Sequence, residues 1–134
     1  MFRLLPDQVH APERLFLPGL LLTAAVLGLA AWGDAGRALL CYDRAGLAAG
    51  EWWRLVSGHL VHLGWRHAVM DLAAALILGW LFGRELSPRR WAWVLLLSLL
   101  AVNAGLWWLD PGITWYVGLS GVLHGVMAAA AVTL

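Results

Sequence analysis

The chain contains the segment Trp115-Tyr116-Val117-Gly118-Leu119-Ser120-Gly121-Val122-Leu123-His124-Gly125, which places one serine hydroxyl and one imidazole in a largely apolar run. Residues 111–134 carry no formal charge. Such a run can cross a bilayer core about 30 Å thick, which takes roughly 20 helical residues. Polar side chains at that depth are costly and often functional. Ser120 lies between Gly118 and Gly121, which allow another backbone to come close. We therefore predict that Ser120 is a nucleophile in the membrane.

The composition is typical of a helical membrane protein. Of the 134 residues, 62% are hydrophobic and 13% are charged, whereas soluble domains average about 25% charged residues. Segments without formal charge cover residues 15–32, 72–83, 91–109 and 113–134. Three of them can span a bilayer outright, and the second can if it begins near His59 or His62. We predict an all-α, polytopic transmembrane bundle forming one domain over residues 1–134, with spans at about 15–32, 59–83, 91–109 and 113–134.

The net charge does not indicate nucleic-acid binding, and the cysteine content excludes an internal disulfide. The formal net charge is +1 at pH 7, which does not indicate a nucleic-acid surface. Cys41 is the only cysteine in the sequence, so an internal disulfide is excluded. We expect a lipid bilayer as the surroundings, with no nucleic acid, no cofactor and no metal.

The loop between the second and third spans indicates the orientation. Residues 84–90 read Arg-Glu-Leu-Ser-Pro-Arg-Arg, and basic loops of this length lie in the cytoplasm. Arg3 and Arg14 favour a cytoplasmic N-terminus for the same reason. Ser87 is predicted as the N-cap of the third helix and Pro88 as its first residue. The loops after the first and third spans, and with them Ser120, then face outwards.

A second polar cluster lies at the start of the second span and comprises His59, His62, His67 and Asp71. His67 and Asp71 are four residues apart and therefore share a helix face. They enter the membrane from the same side as Ser120, so the two clusters can meet in one water-filled pocket. Acyl transfer needs a nucleophile, a base and donors for the developing oxyanion. We predict Ser120 as the nucleophile, with its backbone N–H and the His67 side chain as the donors.

The sequence contains one imidazole close to Ser120 that could act as the general base. His124 lies one turn after Ser120, but a pair on one helix rarely has the aligned geometry that base catalysis needs. We expect the base to come from a helix outside this sequence. The plainer alternative for Ser120 is a hydroxyl that bonds back to a carbonyl of its own helix.

Metal or haem ligation is the chemical alternative for the histidine cluster, because imidazole and carboxylate suit zinc and iron. The spacings of three, five and four residues do not keep all four groups on one face. We therefore rank ligation well below acyl transfer.

The combination of motifs resembles the rhomboid intramembrane serine proteases. It consists of Gly118-Leu119-Ser120-Gly121 at the start of a span, His62, His67 and Asp71 on an earlier span, and Glu51-Trp52-Trp53-Arg54 before it. The segment from Tyr116 to Gly125 is most similar to the bacterial rhombosortase branch. The resemblance covers about residues 51–134 and implies a six-helix core in the bacterial inner membrane. It also implies a membrane-anchored protein substrate with a C-terminal Gly-Gly-containing sorting tail.

The resemblance assigns roles to individual residues. Ser120 matches the nucleophile, activated in the family by a histidine on the sixth helix, and His67 matches the histidine on the oxyanion side. His62 corresponds to a histidine that supports the loop structure, and His124 lies where the family often has an aromatic residue. The supporting residues are Gly118, Gly121, His62, His124, Trp53 and Arg54.

Asp71 departs from the family pattern, which usually has asparagine at this position. An ionised carboxylate only accepts hydrogen bonds and would repel an oxyanion, whereas a protonated carboxyl could donate. Alternatively, Asp71 orients His67.

The end of the sequence is the second departure. The chain stops at Leu134, four spans in, so helices five and six and the catalytic histidine are expected beyond it, and this fragment alone is expected to be inactive. The small-residue face of Gly121, Gly125 and Ala129 would receive helix six in the family and is here expected to lie bare or to pair with another chain. A non-catalytic protein that binds transmembrane partners is the alternative function.

Overall fold

The computed structural model describes residues 11–83 and 85–133. The prediction of orientation uses Arg3 and Arg84, which lie outside the described residues. Leu134 also lies outside them. Three described helices are long and apolar enough to cross a membrane, and a fourth apolar helix is shorter. The predicted all-α transmembrane bundle is therefore confirmed. The long helices cover Leu17–Leu40, Trp65–Phe82 and Pro88–Leu109, and the short one covers Ser120–Val132.

The first helix, α1, runs over Ala11–Leu40, beyond the predicted span of 15–32. Gly33 lies inside it with φ 70° and ψ −145°, which interrupts the helix where the sequence predicted its end. The helix then resumes, and Arg37 pairs with the exposed Asp34 at 2.7 Å. The predicted end of the helix is thus an interruption within it, at a backbone conformation that only glycine adopts readily.

The first loop, residues 41–64 between α1 and the second spanning helix, contains ordered structure. It contains β1 (Tyr42–Asp43), α2 (Arg44–Ala48) and α3 (Arg54–Ser57). Strand β1 pairs antiparallel with β2 (Trp115–Tyr116), and Tyr42 lies opposite Tyr116. The Asp43 carboxylate accepts a hydrogen bond from the N–H of Gly46 at 2.7 Å and caps α2. This two-residue ladder is an addition to the all-α expectation, and it ties the first loop to the segment before Ser120.

The second spanning helix, α4, covers Trp65–Phe82 and begins later than the predicted residue 59. Gly64 precedes it with φ 151°, a conformation that residues with a side chain rarely adopt. His59 and His62 therefore lie in the connection before the helix, whereas His67 and Asp71 lie in its first two turns.

The third spanning helix, α5, covers Pro88–Ala104 and continues as a π-helical turn over Gly105–Leu109. Ser87 caps it by accepting a hydrogen bond from the N–H of Arg90 at 3.4 Å, and Pro88 is its first residue. The predicted N-cap is therefore confirmed.

The last helix, α6, covers Ser120–Thr133 and is shorter than the predicted span of 113–134. Residues 115–116 form β2 instead, and Gly118 adopts φ 111°, so helical geometry cannot begin before it. The consequence is that Ser120 occupies the first turn of a helix whose amino end is reached by side chains from other elements.

The small-residue face of α6 packs against α5 and does not lie bare, contrary to expectation. A Cβ atom added to Gly125 would collide with the Oγ and Cβ atoms of Ser98. One added to Gly121 would lie 2.9 Å from Val102. In contrast, a Cβ added to Gly79 on α4 meets nothing within 4 Å. The glycines of α6 are needed because the backbones of α5 and α6 come so close.

This difference predicts unequal effects of two Gly→Ala substitutions. Gly125→Ala is expected to lower the free energy of unfolding by about 1–3 kcal/mol through overpacking. Gly79→Ala is the control, since it raises helix propensity by the same amount, up to about 1 kcal/mol, without a collision. Thermal unfolding in detergent compares the two. Equal midpoints for both variants would contradict the close α5–α6 contact.

Candidate active site

One carboxylate oxygen organises the site. The Oδ2 atom of Asp71 accepts hydrogen bonds from the backbone N–H of Leu119 at 2.7 Å and of Ser120 at 3.2 Å. The same oxygen lies 3.1 Å from Nε2 of His62 and 3.6 Å from Nε2 of His67. Asp71 is 6% exposed. Asp71 thus contacts both imidazoles and the backbone of residues 118–121, which we call the serine turn. The structure therefore brings together four residues that the sequence singled out: His62, His67, Asp71 and Ser120.

The carboxylate caps α6 from a neighbouring helix. The first N–H groups of a helix have no partner within it, and the partial positive charge of that end favours an anion. Leu119 is the N-cap position, because its carbonyl accepts the first helical bond, from the N–H of Leu123 at 3.0 Å. Asp71 satisfies the N–H of Leu119 and that of the first helical residue, Ser120. The predicted oxyanion donor, the N–H of Ser120, is therefore already bound in this structure.

Gly118 makes this close approach possible. Its φ of 111° turns the chain into α6, and a Cβ atom there would lie 2.8 Å from Cε1 of His67 and 3.2 Å from Oδ2 of Asp71. Its N–H donates to the carbonyl of Gly58 at 3.0 Å. Both the backbone conformation and the space therefore require glycine at this position.

The tautomer of His67 follows from its hydrogen bond. The backbone N–H of Leu63 donates to Nδ1 of His67 at 3.4 Å, so a neutral imidazole carries its proton on Nε2. That nitrogen lies on the side of Asp71 and Gly118. His67 thus presents an N–H donor towards the turn that holds Ser120.

His62 is buried between two acceptors. Its Nδ1 lies 3.1 Å from the carbonyl of Leu60, and its Nε2 lies 3.1 Å from Oδ2 of Asp71. Burial lowers the pKa of His62, and the nearby Asp71 carboxylate partly offsets this. The imidazole acts as a fixed link between the connection before α4 and the carboxylate.

Ser120 and His67 line neighbouring grooves. Ser120, Asp71 and His124 line a groove of about 350 Å³ between α4 and α6. His67 lines a second groove, of about 400 Å³, and Met70 borders both. Where the sequence predicted a single pocket, Ser120 and His67 thus line two adjoining grooves that share Met70. The remaining walls of the first groove are apolar, from Ala74, Ile77, Leu78, Leu123 and Met127.

Ser120 is half-buried, and within residues 11–83 and 85–133 no hydrogen bond joins its hydroxyl to another group. The bond back to a carbonyl of its own helix, the plainer alternative, is not formed. Nδ1 of His124 lies 2.6 Å from the backbone carbonyl of Ser120 and does not pair with the hydroxyl. His124 therefore has a structural contact, and among the described residues no imidazole is hydrogen-bonded to the Ser120 hydroxyl.

Comparison with known proteins identifies the family. A family model described as Rhomboid domain matches residues 49–134, which is more than half of the chain. The chain belongs to the rhomboid family. The protein named "Putative rhomboid protease YdcA" from Bacillus subtilis (strain 168) is 31% identical over 81 residues, which is 60% of this chain and 41% of that protein. The chain thus matches less than half the length of this relative. No solved structure matches the chain.

Trp53 and Arg54 of the rhomboid pattern lie in the first loop and contact the end of α1. Nη1 of Arg54 donates to the carbonyls of Ala38 at 3.1 Å and Cys41 at 2.9 Å, at the end of α1. Nε1 of Trp53 reaches the carbonyl of Leu39 at 3.5 Å. In this rhomboid chain both residues fasten the first loop to α1.

Two polar residues of the site region were missed by the sequence analysis. Asn103 is buried on α5 and donates to the carbonyls of Leu55 and Leu99 at 2.9 and 2.8 Å, with Nε2 of His59 3.2 Å away. Tyr116 holds the serine turn through its hydroxyl. Asn103 could have been recognised as a lone amide in the apolar span of residues 91–109. Tyr116 lies in residues 115–125, the segment that contains Ser120.

Metal ligation finds no support among the described residues. Within 11–83 and 85–133, no group of three or more His, Cys, Asp or Glu side chains is arranged to hold a metal ion. The oxygen on which His62 and His67 converge is already bound by two backbone N–H groups.

The buried histidines predict a pH dependence of stability. His59 is 1% exposed, and burial lowers its pKa below the ordinary 6.5. Because the folded state then binds a proton less readily than the unfolded one, stability is complete above about pH 6.5 and falls below it. Unfolding midpoints at pH 8 and pH 5 measure this. His59→Gln should reduce the slope, whereas His124→Gln, which removes an exposed imidazole, should leave it; an identical slope for all three proteins would contradict the assignment.

Proposed function

We propose that this chain carries the nucleophile and the oxyanion side of an intramembrane serine endopeptidase. The observation that supports it is the Ser120 hydroxyl at the amino end of α6, without a hydrogen-bond partner among the described residues and facing a groove with apolar walls. Membership of the rhomboid family supports the same reaction class.

The proposed reaction begins with attack of the Ser120 Oγ atom on the carbonyl carbon of a peptide bond. The oxyanion that forms takes hydrogen bonds from Nε2–H of His67 and from the N–H of Ser120, once Asp71 has withdrawn from that N–H. Donors aimed at a developing oxyanion are commonly worth about 3 kcal/mol each. The amino end of α6 adds favourable charge for the same oxygen. The proton of the hydroxyl passes to a base from outside the described residues.

The proposed substrate is a membrane-anchored protein, cleaved near its transmembrane segment. The apolar walls of the groove, which include Ala74, Leu123 and Met127, suit a segment that arrives from the bilayer. The likeness of residues 116–125 to rhombosortases favours a C-terminal Gly-Gly-containing sorting tail. The basic loop at residues 84–90 favours a cytoplasmic N-terminus and a site on the periplasmic side of a bacterial inner membrane.

A serine-directed fluorophosphonate probe tests the nucleophile in the full-length protein. We expect covalent labelling that is lost in Ser120→Ala and kept in Ser98→Ala, which removes a second serine hydroxyl, one buried against α6. Labelling that persists in Ser120→Ala would reject the proposal.

A non-catalytic function is the second candidate. It is favoured by the hydrogen bond from the N–H of Ser120 to Asp71, because that N–H is then not free for an oxyanion. In that case the protein would bind a transmembrane partner without cleaving it. A photo-crosslinker at Met127, on the wall of the groove, would then capture an intact partner while the fluorophosphonate probe leaves the protein unlabelled.

A further inference from the structure

The hydroxyl of Tyr116 bridges the two sides of the serine turn. It donates to the carbonyl of Gly118 at 3.0 Å and accepts from the N–H of Gly121 at 3.2 Å. A Cβ atom on Gly121 would lie 2.9 Å from this oxygen. The two groups that Tyr116 contacts are two residues before and one residue after Ser120, so one side chain spans the nucleophile.

Tyr116 and Asp71 together hold three consecutive N–H groups at the start of α6. Asp71 accepts from Leu119 and Ser120, and Tyr116 accepts from Gly121. The two acceptors differ in a way that matters for catalysis. Asp71 must leave the N–H of Ser120 before an oxyanion can use it, whereas the bonds of Tyr116 do not compete with the oxyanion. Tyr116 can therefore hold the turn during the reaction.

The ring of Tyr116 is itself anchored. Strand β2 pairs with β1, which places Tyr116 opposite Tyr42. The ring also contacts the buried imidazole of His59, with centroids 5.3 Å apart at 57°. The hydroxyl thus has a fixed position relative to the first loop, which is what a group that orients a neighbour requires.

We propose that Tyr116 is a positioning residue that orients the Ser120 hydroxyl for attack through its bonds to Gly118 and Gly121. The inference rests on the proposed function, because it takes Ser120 as the nucleophile. Loss of the Tyr116 hydroxyl frees the N–H of Gly121 and the carbonyl of Gly118, and the peptide units around Ser120 can then rotate. Small displacements of a reacting group reduce rates steeply.

The test compares Tyr116→Phe with Tyr42→Phe in the full-length protein. Tyr42 is its partner across the ladder, and the fully buried hydroxyl of Tyr42 has no hydrogen-bond partner in the described part of the chain. Each substitution therefore removes one phenolic oxygen. The rate constant of fluorophosphonate labelling reports the reactivity of the serine, and the final extent of labelling reports the folded fraction. We expect the rate constant of Tyr116→Phe to fall by about 10-fold with an unchanged final extent. That of Tyr42→Phe should stay within about twofold of the parent.

The outcomes separate the inference from the proposed function. A parent-like rate constant in Tyr116→Phe, or a reduced final extent at an unchanged rate constant, overturns the positioning role and leaves the nucleophile intact. Equal losses in both Phe variants also overturn it, because the effect would then belong to the ladder. Labelling that survives Ser120→Ala, or a parent protein that is not labelled, overturns both.

Discussion

Asp71→Ala is expected to lower the free energy of unfolding by about 3 kcal/mol and to abolish detectable fluorophosphonate labelling. The substitution leaves the N–H groups of Leu119 and Ser120 without their acceptor and His62 without its partner. Each buried donor left unpaired costs about 1–3 kcal/mol, and loss of a helix cap alone costs about 1 kcal/mol. Because the cap holds the turn of the nucleophile, stability and reactivity should fall together. Thermal unfolding and the labelling rate constant measure the two effects.

Asp43→Ala is the matched control for this prediction. The Asp43 carboxylate caps α2 by accepting from the N–H of Gly46, and its loss should cost about 1 kcal/mol without changing the labelling rate constant. Asp71→Asn separates the two roles of Asp71, since an amide can still accept from the turn and can also donate to an oxyanion. We expect it to label faster than the parent. An Asp71→Ala protein that unfolds and labels like the parent would refute the role of the cap.

Gly118→Ala is expected to reduce the labelling rate constant by roughly 100-fold or more and to lower the free energy of unfolding by about 3 kcal/mol. The methyl group would collide with His67 and Asp71, and alanine disfavours the φ of 111°. Relief of the collision has to move the oxyanion-side imidazole or the turn of the nucleophile. The measurements are again the labelling rate constant and the unfolding midpoint.

Gly50→Ala is the control that isolates backbone strain. Gly50 also has a positive φ, 95°, but an added Cβ meets nothing within 4 Å. It should cost about 1–2 kcal/mol and leave labelling unchanged. Comparable losses of reactivity in Gly50→Ala and Gly118→Ala would show that contact with His67 and Asp71 is not responsible.

The sequence located the helices better than their ends. Apolar run length predicted a transmembrane bundle, and Ser87 with Pro88 correctly predicted the start of α5, because a cap is a local hydrogen bond. The amino end of α6 was placed too early, at residue 113 instead of Ser120. Hydropathy does not distinguish a helix from the extended Trp115–Tyr116 strand, whose partner lies more than 70 residues earlier.

Packing between helices was predicted least well. Gly79 and Gly125 occur in similar small-residue patterns, yet only Gly125 lies against a neighbouring helix, next to Ser98. Spacing shows that a face is smooth and does not show which helix covers it. That depends on how α5 and α6 cross.

The sequence alone determined which chemical groups this protein has: a membrane-spanning helical chain with Ser120 and His67 in the rhomboid pattern and a carboxylate, Asp71, where that pattern usually has asparagine. These properties follow from composition and local spacing, which need no knowledge of distant contacts. Only the tertiary structure decided that the Asp71 carboxylate binds the N–H of Ser120 and that Tyr116 bridges the serine turn. Both contacts join the start of α6 to side chains fixed by other packing, Asp71 in α4 and Tyr116 in the ladder with the first loop, and a helix terminus has free N–H groups that any such side chain can satisfy.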